Sequence, residues 1–297
     1  MRVVVTGGTG FVGRALCRAL RARGDAVVVL SRGSNAGAGP DVVAWTGRSD
    51  GEWARSIDGA DAVVNLAGAS IAGRRWSAAY REEIRRSRVE ATQSLVDAIG
   101  RASAPPRVLV SGSAVGYYGP TGDEALGEAS PAGNDFLARV CAEWEGAALG
   151  AQAHRVRVVR LRTGLVLGPG GGSLAEMARP FRFFVGGRVG NGRQWMSWIH
   201  LDDEVGLLLH ALSADDVHGP LNAAAPGAVR NSDFARTLGR VLGRPSWFPV
   251  PGLALRVVVG DVAEIITTGQ RVVPAAALAS GYSFRYPELE PALRASL

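Results

Sequence analysis

Short apolar runs punctuated by glycine, alternating with longer stretches in which hydrophobic residues recur every three or four positions, organise the first two-thirds of this chain. RVVVTGG, Arg2 to Gly8, reads as a continuous apolar strand ending in a glycine turn. FVGRALCRALRARG, Phe11 to Gly24, carries the stripe of an amphipathic helix stopped by glycine. AVVVLSR (Ala26 to Arg32) predicts a second buried strand, DVVAW (Asp41 to Trp45) a third and DAVVNLAG (Asp61 to Gly68) a fourth. A long helix is expected from about Ser77 to Arg101, a fifth strand over RVLVSGS (Arg107 to Ser113), a helix over DFLARVCAEWE (Asp135 to Glu145) and a further strand within RVVRLRTGLVLG (Arg157 to Gly168). Strands apolar on both faces and separated by helices imply a parallel sheet covered on both sides, the α/β doubly wound arrangement.

After Gly168 the rhythm breaks. GPGGGS (Gly168 to Ser173) predicts a loop, and FRFFVGGRVGNGRQWMSWIH (Phe181 to His200) mixes aromatics with glycine. From about Pro226 short helices and a proline-rich patch (Pro245, Pro249, Pro251) predict a smaller C-terminal region. Such a region is expected across the carboxyl ends of the strands, where doubly wound proteins bind ligands.

Composition narrows the class. The chain has 297 residues, 47% hydrophobic and 20% charged, which suits a globular protein with a sizeable core. Met1 to Thr6 lead straight into a strand pattern without a basic segment, and the most apolar late stretch, Leu253 to Val259, is broken by Arg256 and falls short of the roughly 20 residues a membrane span needs. A cytoplasmic protein without membrane partners is expected. Cys17 and Cys141, each in a helical apolar pattern, read as buried free thiols with no metal-ligand spacing, so no metal is expected. The net charge of +6 is scattered, with Glu82 and Glu83 interleaved among Arg81, Arg85 and Arg86, and no stacking motif accompanies it, so no nucleic-acid partner is expected. All 33 basic residues are arginines, which removes any mechanism that needs a titrating ammonium.

TGGTGFVG carries the first chemistry. It places Gly7, Gly10 and Gly13 between a strand and a helix, where glycine permits the sharp turn, the close backbone approach to a pyrophosphate and the close helix-to-sheet packing. The helix N-terminus then offers the free N–H groups of Phe11 and Val12 to an anion. A site for NAD carries an acid at the end of the second strand, but here the strand ends in Ser31 and Arg32. A carboxylate repels a 2′-phosphate, whereas a guanidinium makes a charge-assisted pair with it, so NADP(H) is expected rather than NAD(H).

With TGGTGFVG, DAVVNLAG, SGSAVGYYG and RLRTGLVLG in this order, the chain resembles the extended short-chain dehydrogenase/reductase superfamily, in its NAD(P)-dependent epimerase/dehydratase group. NLAGASIAGRRWS, SWIHLDDEV and TTGQRVVPAAALASGYSFRYP are similar to an epimerase-like subfamily with its own short C-terminal domain. The resemblance implies a Rossmann-type NADP-binding domain over residues 1–165, with a return segment at about 195–225, and a smaller region formed by 166–194 and 226–297. It implies that Gly7, Thr9, Gly10, Phe11, Val12 and Gly13 hold the pyrophosphate, Ser31 and Arg32 the adenosine phosphate, Leu66, Ala67 and Gly68 the nicotinamide-side ribose, and Leu161, Thr163 and Gly164 the carboxamide region. A small-molecule substrate is the expected partner, with a homodimer left open.

The resemblance also exposes a gap. In the superfamily a Tyr moves the proton, a Lys one helical turn later supports it, and a Ser at the end of the fifth strand polarises the reacting oxygen. Ser113 matches that Ser, but the Tyr and Lys positions are Phe136 and Val140, and a shift by one residue finds only Asp135 and Arg139, an i,i+4 ion-pair spacing. Tyr117 and Tyr118 follow Ser113 closely enough for either to serve as the acid, with a packing role as the alternative. Glu145 and Cys141, a further turn or more along that helix, are expected to lie too far from the cofactor. His200 reads as structural, with Asp202 as the helix cap; Trp195 and Trp198 suit packing or a pocket floor, and Arg188 and Arg193 suit solvent or an acidic substrate. The expected function is therefore an NADP(H)-dependent oxidoreductase or epimerase without the usual Tyr–Lys pair, the alternative being a non-catalytic NADPH-binding sensor or assembly factor.

Overall fold

Alternate residues of each strand in the main sheet belong to opposite cores, which is what a sheet packed on both faces requires. The computed structural model describes residues 1–32, 41–48, 51–251 and 260–297. The predicted segment around Leu253 to Val259 lies outside the described residues. Seven strands form a parallel sheet: β1 (Arg2–Thr6), β2 (Ala26–Ser31), β3 (Val42–Ala44), β4 (Ala62–Asn65), β5 (Val108–Ala114), β7 (Arg157–Thr163) and β11 (Gly219–Ala223), while the short β6 (Ala125–Leu126) and β9 (Trp195–Met196) pair outside it. Their spatial order is β11-β7-β5-β4-β1-β2-β3, so chain progression reverses at β1. That reversal is the switch point at which ligands enter such sheets.

Val3, Val5, Ala62, Val64, Val108 and Val110 face one core, filled by Leu16, Cys17 and Leu20 of α1 (Phe11–Ala22) and by Leu207, Leu208 and Ala211 of α5 (Leu201–Ser213). Val4, Val63, Leu109 and Val158 face the other, filled by Leu95 and Ile99 of α2 (Ala78–Arg101) and Ala148 of α3 (Phe136–Leu149). Burying each such side chain contributes about 1.5–3 kcal/mol. Helix starts follow local chemistry: the Ser77 hydroxyl accepts from the Tyr80 amide, and the Asp135 carboxylate from those of Leu137 and Ala138. Asp135 is thus a cap instead of the partner of Arg139, whose guanidinium bonds the Asn134 carbonyl.

The predicted strand from Arg157 to Gly168 divides. Gly164 bonds the Ala223 carbonyl, and the chain then leaves the main sheet as β8 (Leu165–Leu167), paired in parallel with β10 (Trp198–His200). A third core lies beyond. Leu167 and Trp198 meet Leu174 and Phe181 of α4 (Ser173–Arg182), Phe234 and Leu238 of α6 (Asn231–Leu242), and Leu289 and Leu293 of the C-terminal helix (Leu289–Ser296). Trp198 is fully buried, its indole donating to the Gly227 carbonyl, which makes it core.

One buried carboxylate ties this region to α5. The buried Asp203 carboxylate accepts from the backbone amides of Arg285 and Tyr286 and from the Tyr282 hydroxyl. His200, and not Asp202, caps α5: its Nδ1 accepts from the Asp202 amide, which corrects the reading of Asp202 as cap. Burial lowers the His200 pKa, keeping the ring neutral and able to accept. Among the described residues no helix is long and apolar enough to cross a membrane.

One buried group of α5 titrates near neutrality. Glu204 accepts a bond from the Thr163 hydroxyl but leaves Oε2 without a partner among the described residues, and burial pushes its pKa to about 8. Because the folded value lies above the unfolded one, the native state binds the extra proton between about pH 4.5 and 8, and stability falls as pH rises through that window. Glu204→Gln removes this dependence. Urea unfolding of both proteins at pH 5 and pH 8 is expected to show the variant gaining on the parent by a few kcal/mol at the higher pH; a constant difference contradicts the assignment.

Candidate functional site

A glycine at the end of β1 opens the site. Gly7 has φ +68°, and a Cβ there would stand 2.5 Å from the Leu66 carbonyl oxygen; a Cβ on Gly13 would stand 2.1 Å from that of Gly7. Neither position accepts a side chain, so α1 begins pressed against β1 and β4. Its N-cap is Gly10, with no side-chain cap and no acid in the first turn, which leaves the first amides free for an anion. The buried chain Thr6 Oγ1 to Asn65 Oδ1, with Asn65 Nδ2 donating to Thr92 Oγ1, ties β1, β4 and α2 together beneath this turn. Asn65 and Thr92 were not foreseen, although an Asn inside an apolar strand signals a buried partner.

Above the turn a crevice of about 430 Å³ is lined by Gly7, Thr9, Gly10, Leu30, Ser31, Arg32, Trp45, Leu66, Ala67 and Gly68. The predicted phosphate turn, the end of β2 and the end of β4 thus meet in one cavity. Arg32 stands exposed at its rim, and the buried Trp45 indole N–H has no partner among the described residues. Free helix amides, an exposed cation and a spare indole donor suit a dinucleotide carrying an additional anionic group. Phe11, beside the turn, packs its ring under the loop glycines Gly168, Gly171 and Gly172. Leu161 and Thr163 lie elsewhere: Leu161 is wholly in the core, the Thr163 hydroxyl serves Glu204, and Gly164 presses on the Ser197 and Ala223 carbonyls.

Ser113, Tyr117 and Tyr118 come together at the end of β5, around an ion pair the sequence reading missed. The Arg162 guanidinium, in register with Ser113 on the neighbouring strand, grips the Glu145 carboxylate at 2.8 and 2.9 Å, and both side chains are buried. Glu145 also accepts from Ser113 Oγ at 2.7 Å and Arg160 at 3.2 Å. Glu145 thus reaches the strand end through Ser113, because α3 crosses β5 closely. The signal was present in RVVRLRT, where Arg160 and Arg162 interrupt a strand buried on both faces and so demand an acid.

Tyr118 is enclosed by the same network. Its hydroxyl accepts from Arg162 at 3.0 Å and donates to Asn222 at 2.6 Å, and burial raises its pKa against the pull of Arg162. Asn222 in turn donates to the Val273 carbonyl, and Glu128 accepts from the amides of Asn222 and Ala276, so the C-terminal segment is stitched to the site. Tyr117 differs. Its ring lies over the Arg162 guanidinium at 3.5 Å, while its hydroxyl bonds no described residue.

The positions of the missing pair form a wall. Phe136 and Val140 pack with Trp76, Tyr80 and Ile84, Trp76 meets Phe136 edge-on at 5.4 Å, and Arg81 covers both rings. Cys141 beside them is buried, its thiol pushed up to about 12 chiefly by burial. Trp195 bonds Asp123 and is flanked by Arg230 and Arg271, and Arg188 and Arg193 are exposed. Removing one partner of the central pair, by Arg162→Met or Glu145→Gln, is expected to cost about 3–5 kcal/mol, and the double replacement markedly less than the sum. Additive losses in chemical unfolding contradict a coupled buried pair.

Comparison with known proteins agrees with this architecture. The model of the NAD dependent epimerase/dehydratase family matches residues 3–224, and a domain of unknown function, DUF1731, matches residues 250–296. The epimerase family protein SDR39U1 homolog, chloroplastic, of Arabidopsis thaliana is 45% identical over 99% of this chain and 86% of its own length. The crystal structure of human epimerase family protein SDR39U1 (isoform 2) with NADPH superposes with a TM-score of 0.92 at 41% identity, covering 99% of this chain and 98% of that one. The nucleoside-diphosphate sugar epimerase from Corynebacterium glutamicum superposes at 0.81 with 34% identity, covering 98% of this chain and 57% of that one. The chain therefore belongs to the NAD dependent epimerase/dehydratase family, within the extended short-chain dehydrogenase/reductases.

Proposed function

We propose that this protein binds NADP(H) in the crevice above β1 and acts on a small-molecule substrate as an oxidoreductase or epimerase in which Tyr117 replaces the missing Tyr–Lys pair. The observation that carries the cofactor is Arg32 at the end of β2, where a site for NAD would place an acid. The NADPH in the human relative's crystal structure supports the same reading. The free amides of α1 hold the pyrophosphate, and Arg32 pairs with the 2′-phosphate. The cofactor supplies a hydride; the protein supplies position and the proton.

Tyr117 fits the proton's path because its hydroxyl is the one at the end of β5 that is not already committed. Ser113 gives its hydrogen to Glu145 and Tyr118 is bonded on both sides, so these two hold the Arg162–Glu145 pair in register beneath Tyr117. The second reading, a non-catalytic NADPH-binding sensor, draws on the apolar wall of Phe136 and Val140, which moves no proton.

Titration with both nucleotides tests the cofactor. NADPH is expected to bind more tightly than NADH, and Arg32→Ala to weaken NADPH by about ten- to a hundredfold, the worth of one charge-assisted bond; equal or tighter binding of NADH overturns the assignment. Absorbance of NADPH against a panel of aldehydes, ketones and quinones tests the chemistry. Turnover that Tyr117→Phe abolishes while NADPH affinity holds supports the enzyme, whereas tight binding without turnover supports the sensor.

A further inference from the structure

A second cation near the crevice has no counter-ion among the described residues. Arg88 projects from α2 toward the loop after β4, and among the described residues it forms no ion pair. Its donors reach only neutral acceptors: the Ile84 carbonyl at 3.0 Å, the Ala69 carbonyl at 3.0 Å and the Ser87 hydroxyl at 3.5 Å. On one side the guanidinium stacks on the Trp144 indole, with Cζ 5.4 Å from the ring centroid. On the other it stands against Gly68, where an added Cβ would lie 3.0 Å from Cζ and 3.2 Å from Nη2. Gly68 lines the crevice, so its missing side chain is what lets the charge come up beneath the cavity floor.

The location of this charge matters more than its contacts. Arg32 marks the β2 side of the switch point as the place of the adenosine half, and a dinucleotide whose pyrophosphate sits at α1 runs from there across β1. Its other half, the nicotinamide, then lies on the β4 side, where Leu66, Ala67 and Gly68 form the lining. Burial, in a shell that holds no carboxylate among the described residues, lowers the Arg88 pKa, yet a guanidinium stays protonated at neutral pH, and the charge is correspondingly poorly screened.

We propose that Arg88 sets the preference of this site for the reduced cofactor: its uncompensated charge beneath Gly68 repels the positively charged nicotinamide ring of NADP⁺ and leaves the neutral ring of NADPH undisturbed. The inference rests on the NADP(H) reading above. A ring in contact with Gly68 lies roughly 8 Å from the guanidinium, and at an effective dielectric near 20 two unit charges at that separation change an affinity by at least about tenfold. The residue acts through space and donates nothing to the reaction. It also explains why a cation survives here without a carboxylate: pairing it would erase the discrimination.

Calorimetric titration of the full chain with NADPH and with NADP⁺ tests this without any turnover. The parent is expected to bind NADPH at least tenfold more tightly; a ratio of one or below overturns the proposal. Arg88→Met, whose chain can still lie on Trp144, and Arg88→Gln, which keeps a donor for Ala69, are both expected to bring the ratio close to one, chiefly by strengthening NADP⁺, while Arg88→Lys preserves it. Thermal melting identifies which variants are folded, and a folded neutral variant that keeps the parental ratio overturns the proposal. Arg32→Ala separates the two readings: it is expected to weaken both nucleotides alike and leave their ratio unchanged. A parent chain that binds neither nucleotide refutes the cofactor assignment itself.

Discussion

The buried contact between Arg162 and Glu145 is the constraint around which the end of the sheet is arranged. A charge pair out of water is tolerable only when each lone pair and each N–H has somewhere to go. Here β5 contributes Ser113, β7 contributes Arg160 and Arg162, α3 contributes Glu145, and the turn after β5 contributes Tyr118. Satisfying one pair therefore fixes two strands, a helix and a turn in mutual register. The requirement extends to the C-terminal segment, because Tyr118 needs Asn222, and Asn222 is held by Glu128 and Val273.

This arrangement also accounts for the altered catalytic helix. Glu145 draws α3 against the strand ends, and the turn of the same helix that would carry a phenol and an amine instead faces Trp76, Tyr80 and Ile84. The helix has become a structural member with an acid at one end and an apolar face at the other. Among the described residues the uncommitted hydroxyl at the end of β5 is then that of Tyr117.

The doubly wound order and the phosphate turn were legible because both rest on local patterns. Valine runs such as Val3 to Val5 and Val27 to Val29 suit strands buried on both faces, as in a covered parallel sheet, and the three glycines stand at the local spacing of a phosphate turn, although what bars a side chain at Gly7 is the distant Leu66 carbonyl. The partners of Ser113 were not legible, since Glu145 and Arg162 lie 32 and 17 residues from the groups they satisfy. Periodicity places Glu145 on a helix but does not say which strand that helix will cross. The cap of α5 was placed on Asp202 for a simpler reason: Asp is the commoner cap, and only the buried, neutral ring of His200, already read as structural, shows that it is the acceptor.

The carboxylate of Asp203 has a mechanical side. By gripping two successive amides of the C-terminal segment it makes that segment and α5 a single lever, and α5 lies along α1. Displacing the C-terminal segment would therefore disturb the packing of the very helix whose N-cap, Gly10, lines the crevice.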